Sequence, residues 1–418
     1  MRVLDENDAV APEHVEDEYL PRPKRERQGI ALCLSGGGFR ASLFHSGALR
    51  RLNELGVLSK INSLTSVSGG SIIAAHLAAR LRPWPESGVT YPNWETDVAA
   101  PFRSFCSKNL RTPAILQRLL PWNWFDSAAG VKALAAAYER NLAWNGGRPL
   151  VLADLPDSPR FVFCATDMVF GVDWIFTKER VGDYQVGYVR SPGAWTVGRA
   201  VAASSCFPPI FNPLPVDISA DEFSGGNAAR NPNFREYVAG LRLTDGGVYD
   251  NMGLEPVWKT SKYVLVSDGG ATFDPEPDTS LIWRLSRYTN IIGNQVGALR
   301  RRWLISSFVT DVLDGTYWGV GSRAGSYEKA AVGYSKELVD EVISEVRTDL
   351  DAFSEAEAAV LENHGYMLAD VAIDRHVPEL IEQSAWPFTI PHPEFMDEGL
   401  VRLRLSESHK RKFPFGRW

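Results

Sequence analysis

The chain has 418 residues, of which 44% are hydrophobic and 23% are charged, and its formal net charge is −7. This composition is typical of a soluble globular protein with one large or two ordinary domains and enough apolar material for a core. The negative charge argues against non-specific nucleic-acid binding, which depends on lysine and arginine side chains that neutralise phosphates. No apolar run reaches the length of about 18 residues that a spanning helix needs, and the N-terminus lacks the apolar core of a signal peptide. We therefore expect neither a membrane-spanning helix nor conventional secretion.

The four cysteines, Cys33, Cys106, Cys164 and Cys206, lack the spacing of metal ligands. Cys33 and Cys164 lie inside apolar runs, where a free thiol packs as a small hydrophobic side chain. We expect a reducing, cytoplasmic environment, and any contact with a membrane has to be local and peripheral. The sequence implies no cofactor and no metal ion.

Residues 1–28 change from an acidic stretch to a basic stretch that prolines interrupt. We predict a flexible N-terminal arm here, with a docking peptide as the alternative.

The first glycine-rich turn follows a predicted buried strand, Ile30 to Leu34, and consists of Gly36, Gly37 and Gly38. A segment with helical periodicity comes next and ends near Gly56. The inner face of this helix is predicted to carry Leu43, Ala48, Leu49, Leu52, Leu55 and Val57.

A second short strand, Ser63 to Val67, leads into Ser68, Gly69 and Gly70, and a helix from Ser71 to about Leu81 follows. Strand, helix and strand form one βαβ unit, in which parallel strands place both glycine turns at the same carboxyl edge of the sheet. Ser68 then lies on a tight strand-to-helix turn, which is the position of the nucleophile in a nucleophile elbow. The backbone N–H groups of the first turn, together with that of Gly69, are positioned to stabilise a negative oxygen formed by Ser68 attack on an ester.

At these residues the chain resembles the patatin-like phospholipases, and the SGGGFRAS turn is also similar to their cytosolic phospholipase A2 relatives. The resemblance is strong over residues 29–270 and implies a three-layer α/β/α hydrolase with a mainly parallel central sheet. It also implies a glycine-rich oxyanion loop, a serine elbow and a distant aspartate that act as a Ser-Asp dyad without histidine. The family elbow reads Gly-x-Ser-x-Gly, whereas Ser66 takes the place of the first glycine here.

Asp245 is assigned as the general base, because it ends a predicted strand, Leu241 to Thr244, and matches the family's Asp-Gly-Gly motif. Spacing alone does not select it, since Asp268 also precedes two glycines after a strand. The sequence VYDNMGLEPV, which follows the Asp245-Gly-Gly motif, resembles the family sequence around the catalytic aspartate. Residues 199–213 resemble the family's Ala-Ser segment beside the catalytic serine, and Ser204 and Ser205 are interpreted there as packing residues.

These assignments predict a calcium-independent serine hydrolase that cleaves fatty-acyl esters of glycerophospholipids through an acyl-enzyme. Arg40 is a candidate for binding an anionic headgroup, because the cytosolic branch of the family has an arginine at the matching position; a surface ion pair is the alternative. The predicted partners are a phospholipid and the surface of a membrane, whereas headgroup choice, positional preference and oligomeric state stay open.

Residues 94–149 are predicted to be a helical insertion in a catalytic core of residues 29–280. Its apolar stripe ends in an aromatic run, Trp122 to Phe125, and either packs on the body or forms a lid or acyl-binding wall. Residues 281–418 are predicted to be a mostly helical part packed on the core, with an amphipathic helix that includes Tyr288 and Leu299. A loop or hairpin is expected over Asp311 to Ser322.

Three alternatives accompany this interpretation. A histidine triad would use His364, His376 or His392, although His364 is expected to cap the C-terminus of a helix that begins with a Ser354/Glu357 capping box. A nucleotide-binding domain fits Gly36, Gly38 and Ala41, but it predicts an acidic residue after the second strand, where Ser68 stands. The third alternative is a regulated or inactive lipid-binding effector that needs an activator.

Overall fold

The structure is a computed structural model that describes residues 26–117, 120–141, 147–193, 195–208, 210–270, 281–327, 332–406 and 408. Most of the predicted N-terminal arm therefore lies outside the described residues. So do Lys410, Arg411 and Lys412, which the sequence offers as candidate contacts for phospholipid headgroups, with solvated surface charge as the alternative.

The strands are β1 (Ile30–Leu34), β2 (Ser63–Val67), β3 (Arg160–Asp167), β4 (Val172–Phe176), β5 (Arg180–Asp183), β6 (Gly187–Arg190), β7 (Leu214–Pro215), β8 (Arg242–Asp245), β9 (Tyr263–Asp268) and β10 (Asp314–Gly319). The α-helices are α1 (Gly38–Glu54), α2 (Gly69–Arg80), α3 (Ala100–Cys106), α4 (Arg111–Leu116), α5 (Ala129–Asn141), α6 (Val197–Ser205), α7 (Phe234–Ala239), α8 (Gly247–Asp250), α9 (Leu281–Val309), α10 (Lys336–Leu338), α11 (Glu355–His376) and α12 (Glu398–Leu405).

One mixed sheet organises the described part of the chain, in the order β10-β9-β1-β2-β3-β4-β5-β6. The pairs among β10, β9, β1, β2 and β3 are parallel, and those from β3 through β6 are antiparallel. The short strands β8 and β7 join beside β3, with antiparallel pairing. The carboxyl ends of β1, β2 and β9 consequently meet at one edge of the sheet.

Helices cover both faces of the sheet, because alternate side chains of the central strands point to opposite sides. In β1, Leu32 and Leu34 belong to the large core that includes residues of α1, α2, α6 and α11. Ala31 and Cys33 face a second cluster on the other side, which includes Leu304 of α9. This confirms the predicted three-layer α/β/α architecture with a mainly parallel central sheet.

The predicted βαβ unit is confirmed in its element types and in the parallel pairing of its strands. Strands β1 and β2 pair in parallel with Cys33 opposite Thr65, and the helix between them ends before Gly56, which has a φ of 73°. Every predicted inner-face residue of that helix is buried. Its remaining residues are almost all buried as well, since α1 is enclosed between the sheet and α11.

Two glycines allow α1 and α11 to cross at very short range. A Cβ atom built on Gly47 of α1 would lie 1.8 Å from the carbonyl oxygen of Glu362, and one built on Gly365 of α11 would lie 1.9 Å from that of Phe44. No side chain fits either position, because real Cβ atoms do not approach backbone this closely.

Two expectations for the C-terminal half are wrong in detail. Residues 311–322 contain β10, which extends the central sheet in parallel next to β9. The helix that contains His364 does begin with the Ser354/Glu357 capping box, but it continues to His376, so His364 and Gly365 lie in its interior. The domain division at residue 280 stays a prediction, and the chain on either side of it contributes strands to one sheet.

Replacement of Gly365 by alanine should lower the midpoint of thermal unfolding, because the added methyl group overlaps the Phe44 carbonyl and forces α1 and α11 apart. Overpacking of this kind costs roughly 1–3 kcal/mol. Gly293→Ala is the matched control, since nothing lies within 4 Å of its Cβ position in the middle of α9. There the same change should be neutral or stabilising, by up to about 1 kcal/mol. Equal effects of the two substitutions would contradict the close crossing.

Candidate active site

Ser68 lies on a strained turn between β2 and α2. Its backbone has φ 50° and ψ −113°, in a region that residues other than glycine adopt at a cost of about 1–3 kcal/mol. The side chain is 8% exposed and stands at the N-terminus of α2. A serine in this strand–turn–helix context has the geometry of a nucleophile elbow.

Ser204 holds the backbone of the elbow. The Ser68 amide donates to Ser204 Oγ at 2.9 Å, and the Ser204 hydroxyl donates to the carbonyl oxygen of Cys164 at 2.6 Å. The sequence predicted Ser204 to be a packing residue of the small-residue helix α6. Ser204 does pack within the core, but the structure also shows its hydrogen bond with the Ser68 amide. This bond forms because α6 lies against β3.

The glycines of the elbow allow it to contact the first glycine turn directly. A Cβ atom on Gly69 would lie 2.1 Å from the Gly38 carbonyl oxygen, and one on Gly70 would lie 2.2 Å from that of Leu34. Ser42 joins the same two segments, since its hydroxyl lies 3.0 Å from Gly38 O and 2.7 Å from Gly69 O.

The glycine turn after β1 adopts conformations that favour glycine, with φ 140° at Gly37 and 57° at Gly38. The amide of Gly36 donates to the carbonyl oxygen of Asn251 at 3.0 Å. For the amides of Gly37, Gly38 and Gly69, no acceptor is found among the described residues. These three N–H groups lie at or next to the N-termini of α1 and α2, where a negative charge is favoured.

Asp245 ends β8 next to the elbow. Burial raises the pKa of this carboxyl to about 7, whereas hydrogen bonds from the Gly247 amide and from the Ser68 side chain act in the opposite direction. The Gly247 amide lies 2.7 Å from Oδ1. A buried carboxyl whose pKa is raised to about 7 is suited to exchange a proton near neutral pH.

The second Asp-Gly-Gly motif has different surroundings. The Asp268 carboxylate accepts hydrogen bonds from the Tyr317 hydroxyl at 2.8 Å and from the Gly270 amide at 3.0 Å, and it faces Arg301 at 3.6 Å. Its contacts therefore join β9 to β10 and α9. The sequence motif alone does not distinguish Asp245 from Asp268. In the structure the hydrogen-bond partners of the two carboxylates differ.

The family model described as patatin-like phospholipase matches residues 32–258, which are more than half of the chain. The chain belongs to the patatin-like phospholipase family. No curated protein matched it.

Solved structures of two patatin-like proteins resemble this chain at low identity. Human GIVD cytosolic phospholipase A2, in complex with methyl gamma-linolenyl fluorophosphonate, is 14% identical with a TM-score of 0.40 over 92% of this chain and 60% of that one. The same human enzyme alone gives 14% identity and a TM-score of 0.36 over 59% of this chain and 47% of that one. VipD from Legionella pneumophila is 14% identical with a TM-score of 0.34 over 84% and 67%. The chain thus spans about half to three fifths of the human enzyme.

In this patatin-like chain Arg40 is 2% exposed and contacts backbone carbonyl groups. Its guanidinium donates to the carbonyl oxygens of Ser344 and Val346, both at 2.9 Å, and to that of Gly269 at 3.2 Å. These bonds join the start of α1 to the turn after β9. The role in headgroup binding stays a prediction, and the geometry favours a positioning role.

The histidines considered for a triad have partners elsewhere. His364 Nε2 lies 2.8 Å from the Val320 carbonyl oxygen, His392 Nε2 lies 2.7 Å from Glu362, and the ring of His376 packs edge-on against Tyr327. The groups that shift the pKa of Asp245 are its burial, Gly247 and Ser68, without a histidine. Within the described residues no cluster of His, Cys, Asp or Glu could hold a metal ion, and no helix is long and apolar enough to cross a bilayer.

The raised pKa of Asp245 predicts a pH-dependent stability difference between the wild type and Asp245→Asn. In the unfolded chain the carboxyl ionises above its ordinary pKa of 3.8, whereas in the folded protein its raised pKa keeps it neutral until the pH approaches about 7. Wild-type stability should therefore fall relative to the variant between pH 4 and pH 7, by up to about 4 kcal/mol at 1.4 kcal/mol per pKa unit. Urea unfolding of both proteins across this range measures the difference. A difference that does not change with pH would contradict the pKa of about 7.

Proposed function

We propose that the chain is a serine lipid acyl hydrolase of the phospholipase A or lysophospholipase type, which cleaves fatty-acyl esters of glycerophospholipids. The observation that carries the proposal is the strand register, which ends β2 before Ser68 and ends β8 at the buried carboxyl of Asp245 on the same edge of β3. The pKa of Asp245 is raised to about 7 by burial and lowered by the nearby Ser68 side chain. Membership of a family of lipid acyl hydrolases supports the substrate class.

In the first step Ser68 Oγ attacks the ester carbonyl carbon while Asp245 accepts the hydroxyl proton. An aspartate in water, with a pKa of about 3.9, is a weak base for this purpose. Burial makes Asp245 a stronger base, because it raises the affinity of the carboxylate for the proton. The tetrahedral intermediate then collapses, the C–O bond to the glycerol oxygen breaks, and the leaving oxygen takes the proton from Asp245.

The negative oxygen of the tetrahedral intermediate needs hydrogen-bond donors that already point toward it before the reaction. The amides of Gly37, Gly38 and Gly69 support this role, because they have no acceptor within the described residues and lie at helix N-termini. Gly36 contributes through its size, since a Cβ atom there would lie 3.2 Å from Ser68 Cβ, while its amide is bonded to Asn251.

In the second step a water molecule replaces the alcohol. Asp245 accepts a proton from this water, the hydroxyl oxygen bonds to the acyl carbon, and the C–O bond to Ser68 breaks to release the fatty acid. Ser68 Oγ recovers its proton from Asp245, so the dyad returns to its starting state.

The helical segment of residues 94–149 is proposed as a lid or acyl-binding wall. Its turn places Trp122, Trp124 and Phe125 on the surface as exposed aromatic side chains. The Ser127 carbonyl accepts a hydrogen bond from Asn212, which follows α6, the helix that holds Ser204. The low exposure of Ser68 favours the second candidate, an enzyme that stays inactive until an activator opens this site.

The dyad predicts the outcome of a labelling experiment. Ser68→Ala should abolish covalent labelling by a fluorophosphonate probe, and Asp245→Asn should slow labelling and phospholipid hydrolysis by at least about 100-fold, the range of general-base contributions. Asp268→Asn is the matched control, because it changes the other Asp-Gly-Gly motif. It should retain labelling at Ser68 within about tenfold of the wild-type rate. Label on a different serine, located by peptide mass spectrometry, would refute the assignment.

A second experiment tests the support of the elbow. Ser204→Ala removes the acceptor of the Ser68 amide and should lower kcat by about tenfold or more, since a small displacement of a nucleophile is costly. The adjacent Ser205→Ala is the control, because the Ser205 hydroxyl donates to the Val201 carbonyl within α6. Its effect should be confined to stability. Identical kcat values for Ser204→Ala and wild type would show that the contact is dispensable.

A further inference from the structure

The two steps of the proposed reaction leave one polar side chain at the site unused, the carboxamide of Asn251. The backbone carbonyl of Asn251 accepts the Gly36 amide at 3.0 Å and so joins the turn after α8 to the glycine turn after β1. The carboxamide itself is half-buried and has no hydrogen-bond partner among the described residues. A polar group in this situation is costly unless water or a ligand reaches it.

Three glycines leave room for this carboxamide. They belong to the turns after β1, β8 and β9, and at each of them the atom nearest to the Cβ position belongs to the Asn251 side chain: Gly36, Gly247 and Gly270. Asn251 Oδ1 lies 2.6 Å from the Cβ position of Gly247, and Nδ2 lies 2.8 Å from that of Gly270. Real Cβ atoms do not approach other atoms this closely. The ends of three strands are therefore free of side chains where the carboxamide stands.

Asn251 Oδ1 lies beside both members of the proposed dyad. Ser68 Cβ is 3.2 Å from the Cβ position of Gly36, and Asn251 Oδ1 is closer still to that position. Asp245 Oδ1 is 3.0 Å from the Cβ position of Gly247, and Asn251 Oδ1 is 2.6 Å from it. The distance from Asn251 Oδ1 to either dyad residue is thus no longer than two such short distances together. One bridging water spans this length, because it makes two hydrogen bonds of about 2.8 Å each.

The turn that carries Asn251 is fixed by the preceding residue, Asp250. The Asp250 carboxylate is buried and accepts hydrogen bonds from the backbone amides of Leu254 at 2.7 Å and Glu255 at 2.9 Å. Arg300 stands 3.7 Å from the same carboxylate. These contacts hold the turn without the Asn251 side chain, so its carboxamide is in a fixed place and its polar atoms are available to a water molecule.

We propose that Asn251 is a further catalytic residue, whose Oδ1 binds the water that hydrolyses the acyl-enzyme. The water donates one hydrogen to Asn251 Oδ1 and the other to Asp245, which leaves a lone pair of its oxygen for the acyl carbon on Ser68. Asp245 takes the second hydrogen as a proton while the new C–O bond forms. The C–O bond to Ser68 Oγ then breaks, Ser68 Oγ recovers the proton from Asp245, and the other hydrogen stays on the oxygen of the released acid.

This role rests on the proposed hydrolase function and concerns only its second step. Acylation of Ser68 consumes no water, so the Asn251 carboxamide should matter for deacylation and not for acylation. A residue that merely supported the fold of the site would affect both steps.

Single-turnover hydrolysis of p-nitrophenyl butyrate by excess full-length protein separates the two steps. Release of nitrophenolate measures acylation, and intact mass spectrometry after rapid quenching follows the butyryl adduct on Ser68. In Asn251→Ala nitrophenolate release and labelling by a fluorophosphonate probe should keep the wild-type rate. Decay of the butyryl adduct should slow by at least about tenfold, because the water loses one of the two groups that orient it.

Two further variants separate this effect from a change of structure. Asn251→Leu retains the volume of the side chain without an acceptor and should show the same slow deacylation, which excludes an opened cavity as the cause. Asn62→Ala is the matched control, since the Asn62 carboxamide accepts the Ile30 amide at 2.8 Å at the opposite, amino edge of the sheet. It should lower the midpoint of thermal unfolding and leave both rates unchanged.

Wild-type deacylation in folded Asn251→Ala or Asn251→Leu would overturn the proposal, and so would an equal slowing of acylation and deacylation. In both cases the wild type still hydrolyses the ester, so the proposed function stands. A wild type that neither takes the probe nor cleaves the ester would instead refute the proposed function, and the role of Asn251 with it.

Discussion

The candidate active site depends on strand β3, because β2 and β8 both pair with the same side of it. Strand β2 pairs with β3 until Val67 stands opposite Cys164, and β8 pairs with the next position, where Asp245 stands opposite Ala165. The chain thus leaves β2 at Ser68 where β8 arrives with Asp245. Sheet pairing has a fixed spacing, so this register brings the serine and the carboxyl together although 176 residues of sequence separate their positions.

The same register accounts for the unfavourable features of the site. Asp245 is buried because β3, β8 and α6 enclose it, and burial is what raises its pKa to about 7. Ser68 is strained because its strand has to end and a helix has to begin within one residue. Both features cost stability, and the large core on the α1 face of the sheet offsets them. The glycines complete the arrangement, since the contact between Gly69 and Gly38 leaves no room for a side chain.

The sequence predicted what local patterns determine and missed what distant contacts decide. The βαβ unit from Ile30 to Val67 was predictable because hydrophobic periodicity and glycine turns are local signals. Strand β10 was not, because Gly315, Thr316 and Gly319 give it the composition of a turn, and pairing with β9 overrides that composition. Asn363, His364 and Gly365 have the sequence of a helix end, yet Gly365 serves close packing against Phe44 in mid-helix. Among candidate site residues, Ser68 and Asp245 came from motifs, whereas the contact of Ser204 with the elbow required the tertiary structure.

The sheet also sets where the candidate site lies. The parallel strands β1, β2 and β9 end at one edge, and β8 runs antiparallel to β3 so that its last residue, Asp245, reaches the same place. Helix α9 connects β9 to β10, and its Arg301 faces Asp268 at the end of β9. The topology therefore gathers the glycine amides, Ser68 and Asp245 at one edge of the sheet, although their positions in the sequence are far apart.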